Sequence, residues 1–152
     1  QSKRFFAEDN IPNPAILLTR SIFLAGSIEM GAAVDWQGEI VEKLKNHAGI
    51  ILNPRRDNWD PSWKQTYDNP SFRQQVLWEL EMLERCDLIY MYFDPNTKSP
   101  ISLLELGLFA RTGKLVVHCP EGFWSKGNVD ITCQRYGIAQ VDSIDEFIRK
   151  YI

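Results

Sequence analysis

Asp87–His118 reads DLIYMYFDPNTKSPISLLELGLFARTGKLVVH. The run from Asp87 to Phe93 is short and apolar, which predicts a buried strand. Ser99-Pro100 then opens a helix, with serine as the cap and proline at the first helical position. Gly113 closes that helix, and Leu115 to His118 predicts the next strand. Strand, helix and strand in such short compass form the repeating unit of a parallel sheet.

The pattern extends in both directions. Upstream, Ser21 to Ala25 is an apolar run ended by Gly26-Ser27, which predicts a first strand and a tight loop. Asp35 is placed to cap a helix reaching about Asn46, with Ile40, Val41 and Leu44 on its inner face. Gly49 breaks it, and Ile50 to Leu52 predicts a second strand stopped by Asn53-Pro54. The polar loop RRDNWDPSWKQTYDNPS follows, long enough to suggest a functional segment, and its Trp59, Trp63 and Tyr67 favour order. Pro70 begins a helix to about Arg85, with Val76, Leu77, Leu80 and Leu83 apolar. Downstream, a helix is expected over about Lys126 to Tyr136 and a strand over Ile138 to Val141. Ser143 and Glu146 form a capping box for a last helix. Residues 1 to about 20, with Pro12 and Pro14, read as an N-terminal arm before one domain spanning 21–152.

Alternation of this kind implies helices on both faces of a mostly parallel sheet. The expected architecture is a single-domain, flavodoxin-like or Rossmann-like three-layer α/β sandwich, five-stranded in order 2-1-3-4-5. Such sheets bind ligands beyond the carboxyl ends of their strands, at the switch between the first and third. The segments brought there are Gly26–Gly31, Asn53–Asp57, Asp94–Glu105 and about Pro120–Asn128.

Bulk composition narrows the function. The 152 residues carry a net charge of −3 with acids and bases interspersed, so there is no basic stripe to track a nucleic-acid polymer. The cysteines Cys86, Cys119 and Cys133 are far apart and form no CxxC or CxxH pair, which excludes a zinc cage built on them. Their odd number argues against a disulfide scaffold and for a reducing compartment, hence a cytoplasmic protein. No apolar run approaches the roughly 20 residues that span a bilayer. The first residues lack the layout of a signal peptide.

Among the candidate residues, Glu105 is a carboxylate in a helix otherwise apolar nearly all round. Such a group is costly unless it is paired or used. It is either a functional carboxylate favoured by the nearby helix amino terminus or a core Glu paired with an Arg or a backbone amide. Glu79, in VLWELEML, either faces the same cleft or is solvated beside Glu81 and Glu84. Gly26-Ser27 with Gly31 resembles a small nest whose amides suit a phosphate or a sugar hydroxyl. Asn53-Pro54-Arg55-Arg56 puts two guanidiniums at a strand end, able to clamp an anion. His118 reads as a satisfied core residue, and no Ser-His-Asp or Cys-His set is legible.

Taken together, IFLAGSI, ERCDLIYMYF and SPISLLELGLFARTGK resemble the nucleoside 2-deoxyribosyltransferase superfamily. GSIEMGAAVDWQ, NPRRDNWD, SPISLLELG and GNV look like its nucleoside 2-deoxyribosyltransferase-like branch. The resemblance covers about residues 21–152. It implies that Glu105 attacks the anomeric carbon of a nucleoside or nucleotide and forms a glycosyl-enzyme ester. It implies no metal or organic cofactor, a small-molecule substrate and a homo-oligomer, in which Trp59, Trp63 and Trp124 are available for packing. Where the family has an Asp that handles the proton of the base, this chain has Glu79. Where it has a Tyr that orients the nucleophile, this chain has Phe23. Ser99 stands where transferases carry Asp and nucleotide-hydrolysing relatives carry Ser. Gly26 and Ser27 match the hydrolase loop, but Glu29 replaces a basic residue near the 5′-phosphate, for which Arg55 or Arg56 can compensate. Asn128 matches an Asn that approaches the sugar. The expected activity is cleavage or transfer at an N-glycosidic bond. The alternatives are a nucleotide-binding sensor with weak or lost catalysis, and an N-glycosidase acting on NAD.

Overall fold

The computed structural model of the protein describes residues 20–28, 33–47, 49–55, 60 and 62–152, together with the backbone of 3–6. In chain order the elements are β1 (Lys3–Phe6), β2 (Ser21–Gly26), α1 (Trp36–Lys43), β3 (Ile50–Asn53), α2 (Pro70–Arg85), β4 (Leu88–Tyr92), α3 (Pro100–Phe109), β5 (Leu115–His118), α4 (Lys126–Tyr136), β6 (Ala139–Gln140) and α5 (Ile144–Tyr151). The strand order is β1-β3-β2-β4-β5-β6. The pairs β1–β3, β2–β3, β4–β5 and β5–β6 are all parallel. With β1 set aside, this is the order 2-1-3-4-5 expected from the sequence.

The chain forms two compact units, Gln1–Leu24 with Gln37–Asp87, and Ala25–Trp36 with Leu88–Ile152. In the first, β3 is buried along its whole length. Its backbone pairs Ile50 with both Lys3 and Ser21. Lys3–Phe6 is therefore a strand within the stretch read as an arm. A buried strand needs partners for its amides and carbonyls on both edges, and KRFF supplies one edge although it carries no periodic signal. Asp87 pins the start of β2, its Oδ2 accepting from the Ser21 amide at 2.7 Å. On α1, Ile40, Val41 and Leu44 are buried as expected. Helix α2 begins as expected at Pro70, and the Asn69 side chain caps the amides of Ser71 and Phe72. Its inner face is Gln75, Trp78, Met82 and Leu83, whereas Leu77 is 53% exposed.

In the second unit β4 pairs with β5 from Ile89↔Leu115 to Tyr92↔His118. Phe147 of α5 is fully buried, its ring 4.6 Å from that of Tyr90. The capping box of α5 is present: Ser143 Oγ accepts from the Glu146 amide at 3.0 Å. Glu146 Oε2 in turn accepts from the Asp142 amide at 2.7 Å. Helix α3 stops at Phe109, one turn short of Gly113, which has a φ of 75°. Among the described residues no helix is long and apolar enough to cross a membrane.

Gly26 closes β2 with a φ of 127°, a conformation that side chains disfavour. A Cβ there would sit 2.1 Å from the Tyr92 carbonyl oxygen. The residue is glycine because the end of β2 must pass against the backbone of β4. Gly26→Ala is therefore expected to destabilise the protein by at least about 2 kcal/mol, read as a lowered midpoint in urea unfolding.

Candidate active site

The second unit builds its polar centre from hydroxyls. Ser27 is 1% exposed, Thr97 8% and Ser99 5%. Their side-chain oxygens form a closed triangle. Ser27 Oγ lies 2.5 Å from Ser99 Oγ and 3.0 Å from Thr97 Oγ1, and the last two are 2.8 Å apart. Ser27 Oγ also accepts from the Asp94 amide at 2.8 Å. The buried Asp94 carboxylate fixes the loop after β4, accepting from the Asn96 amide at 2.9 Å and the Val34 amide at 3.3 Å. Three separate stretches, the end of β2, the Asp94–Thr97 turn and the start of α3, are thereby tied at one point.

This arrangement changes the reading of two residues. Ser99 does precede α3, but it caps nothing: its side chain makes no hydrogen bond to the helix amides. It adopts φ 48° and ψ 54°, the only non-glycine residue at positive φ among the described residues. That conformation costs about 1–2 kcal/mol, which the hydroxyl triangle offsets. The Ser27 amide is engaged within the fold, donating to the Tyr92 carbonyl at 2.9 Å. Its hydroxyl is engaged as well. Both serines serve first to shape the loop that carries α3.

Helix α3 then turns Ser102, Glu105, Leu106 and Phe109 inward. Glu105 is 8% exposed. Ile101, Leu104 and Leu108 form the outer face, at 58%, 58% and 57% exposure. The helix is thus apolar on both sides, and its one charged residue lies on the buried side. Asn128 sits exposed in the first turn of α4. His118 Nδ1 is 3.0 Å from the Tyr90 hydroxyl, in keeping with a satisfied structural histidine.

In the first unit, Glu79 is partly exposed as a residue, yet desolvation raises its carboxyl to about 7, opposed by a hydrogen bond from Gln75. Gln75 Nε2 donates to Glu79 Oε1 at 3.0 Å and to the Pro54 carbonyl at 3.2 Å. The carboxyl of α2 is thereby linked to the end of β3. Arg55 follows there, its amide held by Asn53 Oδ1 at 3.0 Å and its guanidinium 3.4 Å from Gln37 Oε1. Phe23 is 1% exposed and packs on Trp78, with ring centroids 6.0 Å apart. Glu29, Gly31, Arg56 and Trp59 lie outside the described residues.

Sequence reasoning passed over Asp94, Thr97 and Gln75. The first two carry a usable signal, since Asp-Pro-Asn-Thr after a strand is an Asx-turn composition. Gln75 has none, because its partners come from another element. Among the described residues no group of three or more His, Cys, Asp or Glu is placed to hold a metal ion.

A family model described as "Nucleoside 2-deoxyribosyltransferase like" matches residues 19–123. That span contains Gly26, Ser27, Glu79, Ser99 and Glu105 and excludes Asn128. Among solved structures, the chain is similar to one described as "Crystal structure of conserved protein from Enterococcus faecalis V583". The two share 17% identity with a TM-score of 0.61, over 87% of this chain and 96% of that one. At that identity the likeness is one of fold. No curated protein matches the chain.

Two outcomes follow from the site geometry. Ser27→Ala removes the acceptor of the buried Asp94 amide and opens the triangle, for an expected loss of about 2–3 kcal/mol in chemical denaturation. Glu79 gives a pH signature. Its folded pKa lies above the unfolded value, so stability is full below about 4.5 and falls as pH rises to about 7. The loss is at most about 3 kcal/mol. Glu79→Gln should flatten that slope in unfolding curves between pH 4.5 and 8; an unchanged slope refutes the assignment.

Proposed function

The chain belongs to the nucleoside 2-deoxyribosyltransferase like family, and on that premise we propose that it cleaves or transfers the N-glycosidic bond of a nucleoside or nucleoside 5′-monophosphate. The observation that carries this reading is Glu105, a carboxylate on the buried face of an otherwise apolar helix. It has interaction partners there, and a carboxylate held away from bulk water by its neighbours suits a nucleophile.

The steps follow from the roles that the family resemblance gives to Glu105 and Glu79. A Glu105 oxygen bonds to the anomeric carbon as the bond from that carbon to the base nitrogen breaks. The bonding pair leaves on the base, which takes a proton from the Glu79 carboxyl. A pKa near 7 suits a group that donates and regains a proton at neutral pH. Water, or the nitrogen of a second base, then attacks the same carbon. The ester bond breaks, its electron pair returns to Glu105, and the proton of the attacking group passes to Glu79. This is the double displacement of retaining glycosidases, through an oxocarbenium-like transition state. Arg55 is assigned to an anionic substituent and Asn128 to the sugar. Gly26, Ser27 and Ser99 shape the loop. Assembly into a homo-oligomer belongs to the same reading, supported by the exposed apolar stripe Ile101, Leu104 and Leu108.

A nucleotide-binding protein without turnover is the second reading. It is favoured by Phe23, a buried ring where the family resemblance expects a hydroxyl on the nucleophile. Calorimetric affinity for nucleotides with no free base in chromatography would establish it.

The deciding assay uses nucleosides and 5′-monophosphates, with and without an acceptor base. Exchange identifies a transferase, and base release alone a hydrolase. Glu105→Ala should lower either rate by about 10³-fold or more with unchanged circular dichroism, and mass spectrometry should find a sugar ester on Glu105. A variant as fast as wild type refutes the nucleophile.

A further inference from the structure

The buried hydroxyls of the second unit are all engaged with one exception. Ser27, Thr97 and Ser99 satisfy one another. Ser102 is 4% exposed, and its hydroxyl has no hydrogen-bond partner among the described residues. A helical serine ordinarily bonds the carbonyl three or four residues back. Here both carbonyls accept from donors other than Ser102. Lys98 O accepts from Trp124 Nε1 at 2.8 Å, and Ser99 O accepts from the Leu103 amide at 3.1 Å.

Burying a hydroxyl without a partner costs about 1–3 kcal/mol, and alanine would fill the same helical position with better propensity. The oxygen is not sealed off either, unlike the orphan atoms Gln37 Nε2 and Trp78 Nε1. Ser102 is therefore a polar group with an open hydrogen bond and a route for something to reach it. Its place on α3 says what that is. Ser102 and Glu105 are three residues apart on the same buried face, neighbours just under one helical turn, roughly 4.5 Å, apart along the axis. Side chains on a helix lean toward its amino terminus. The two groups thus point the same way, with a spacing comparable to the width of a furanose ring.

We propose that Ser102 is a sugar-binding residue: its hydroxyl hydrogen-bonds a hydroxyl of the same furanose whose anomeric carbon Glu105 attacks. This rests on the nucleophile assigned to Glu105 and extends it to substrate recognition. The bond orients the ring over the carboxylate, and it discriminates between sugars that carry the contacted hydroxyl and those that lack it. A lost neutral hydrogen bond of this kind corresponds to about a 5- to 10-fold change in kcat/KM.

The test is a cycle in the full chain. Wild type and Ser102→Ala are assayed on the best substrate of the panel and on its 2′-deoxy, 3′-deoxy and 5′-deoxy sugar analogues; for a deoxynucleoside substrate, the remaining positions are varied. Ser102→Ala should lower kcat/KM about 5- to 10-fold on the parent substrate with its thermal midpoint at or above that of wild type. On one analogue the variant and wild type should be equally slow, which marks the contacted hydroxyl. Equal kcat/KM for variant and wild type on the parent substrate overturns the proposal. So does the same fold-loss on every analogue, the pattern of a merely structural serine. If Glu105→Ala is inactive while Ser102→Ala matches wild type, only the sugar contact fails. If Glu105→Ala keeps the wild-type rate, the nucleophile fails with it. Should no panel member turn over, nucleoside affinity is measured by calorimetry, where Ser102→Ala must bind the parent more weakly than wild type. Equal affinity, or no binding by wild type, overturns the proposal.

Discussion

The hydroxyl triangle of Ser27, Thr97 and Ser99 is the constraint on which the rest of the second unit depends. A strand end, a turn and a helix start have no covalent reason to meet. Backbone pairing alone leaves the Asp94 amide buried and unmatched, and it leaves Ser99 in a backbone conformation that side chains avoid. Three small hydroxyls resolve both problems, because each both donates and accepts and can rotate to suit its neighbours. Gly26 lets the strand end approach closely enough for the contact to form. The direction in which α3 leaves the loop, and hence the face on which Glu105 lies, follows from that junction.

The fold was legible because its signals are local. Apolar runs, Pro70, Pro100, Gly49 and the Ser143–Glu146 box mark element ends by short-range chemistry, and the right-handed crossover rule then leaves few topologies. Strand β1 escaped because Lys3–Phe6 is recruited by the unpaired edge of β3 rather than by a pattern of its own. The inner face of α2 was obscured for a related reason. Counting apolar letters gives weight to Leu77, which is 53% exposed, whereas Gln75 is buried through hydrogen bonds to Pro54 and Glu79. A polar residue satisfied by a distant carbonyl looks like a surface residue until its partner is known.

The candidate site was legible in proportion to how far each residue's role is decided by its own helix. Glu105 is anomalous in any apolar helix, so its position could be singled out from sequence. From its own surroundings Ser99 could be read only as a cap, because the capping rule considers nearby amides and not two hydroxyls from other segments. Glu79 could not be told from Glu81 by composition. In the structure Glu81 is paired with Arg85 at 2.6 Å on the exposed side of α2. Glu79 instead meets Gln75 and loses enough solvent to bring its carboxyl to about 7.

Unsatisfied polar groups are rare in folded proteins, and their surroundings decide what each one means. Gln37 Nε2 and Trp78 Nε1 are enclosed in the first unit. Trp78 packs in a tilted contact on Phe23, and Gln37 spends its oxygen on Arg55, so packing and a hydrogen bond elsewhere on the same side chain offset the orphan donor. Ser102 has no such compensation. Its side chain is too small to gain much from packing, its local carbonyls have other donors, and an alanine would be cheaper in a helix. What distinguishes it is the buried carboxylate one turn away. An open hydroxyl beside a buried charge is a poor structural device and a good recognition device, because a bound sugar can satisfy the one while reacting with the other.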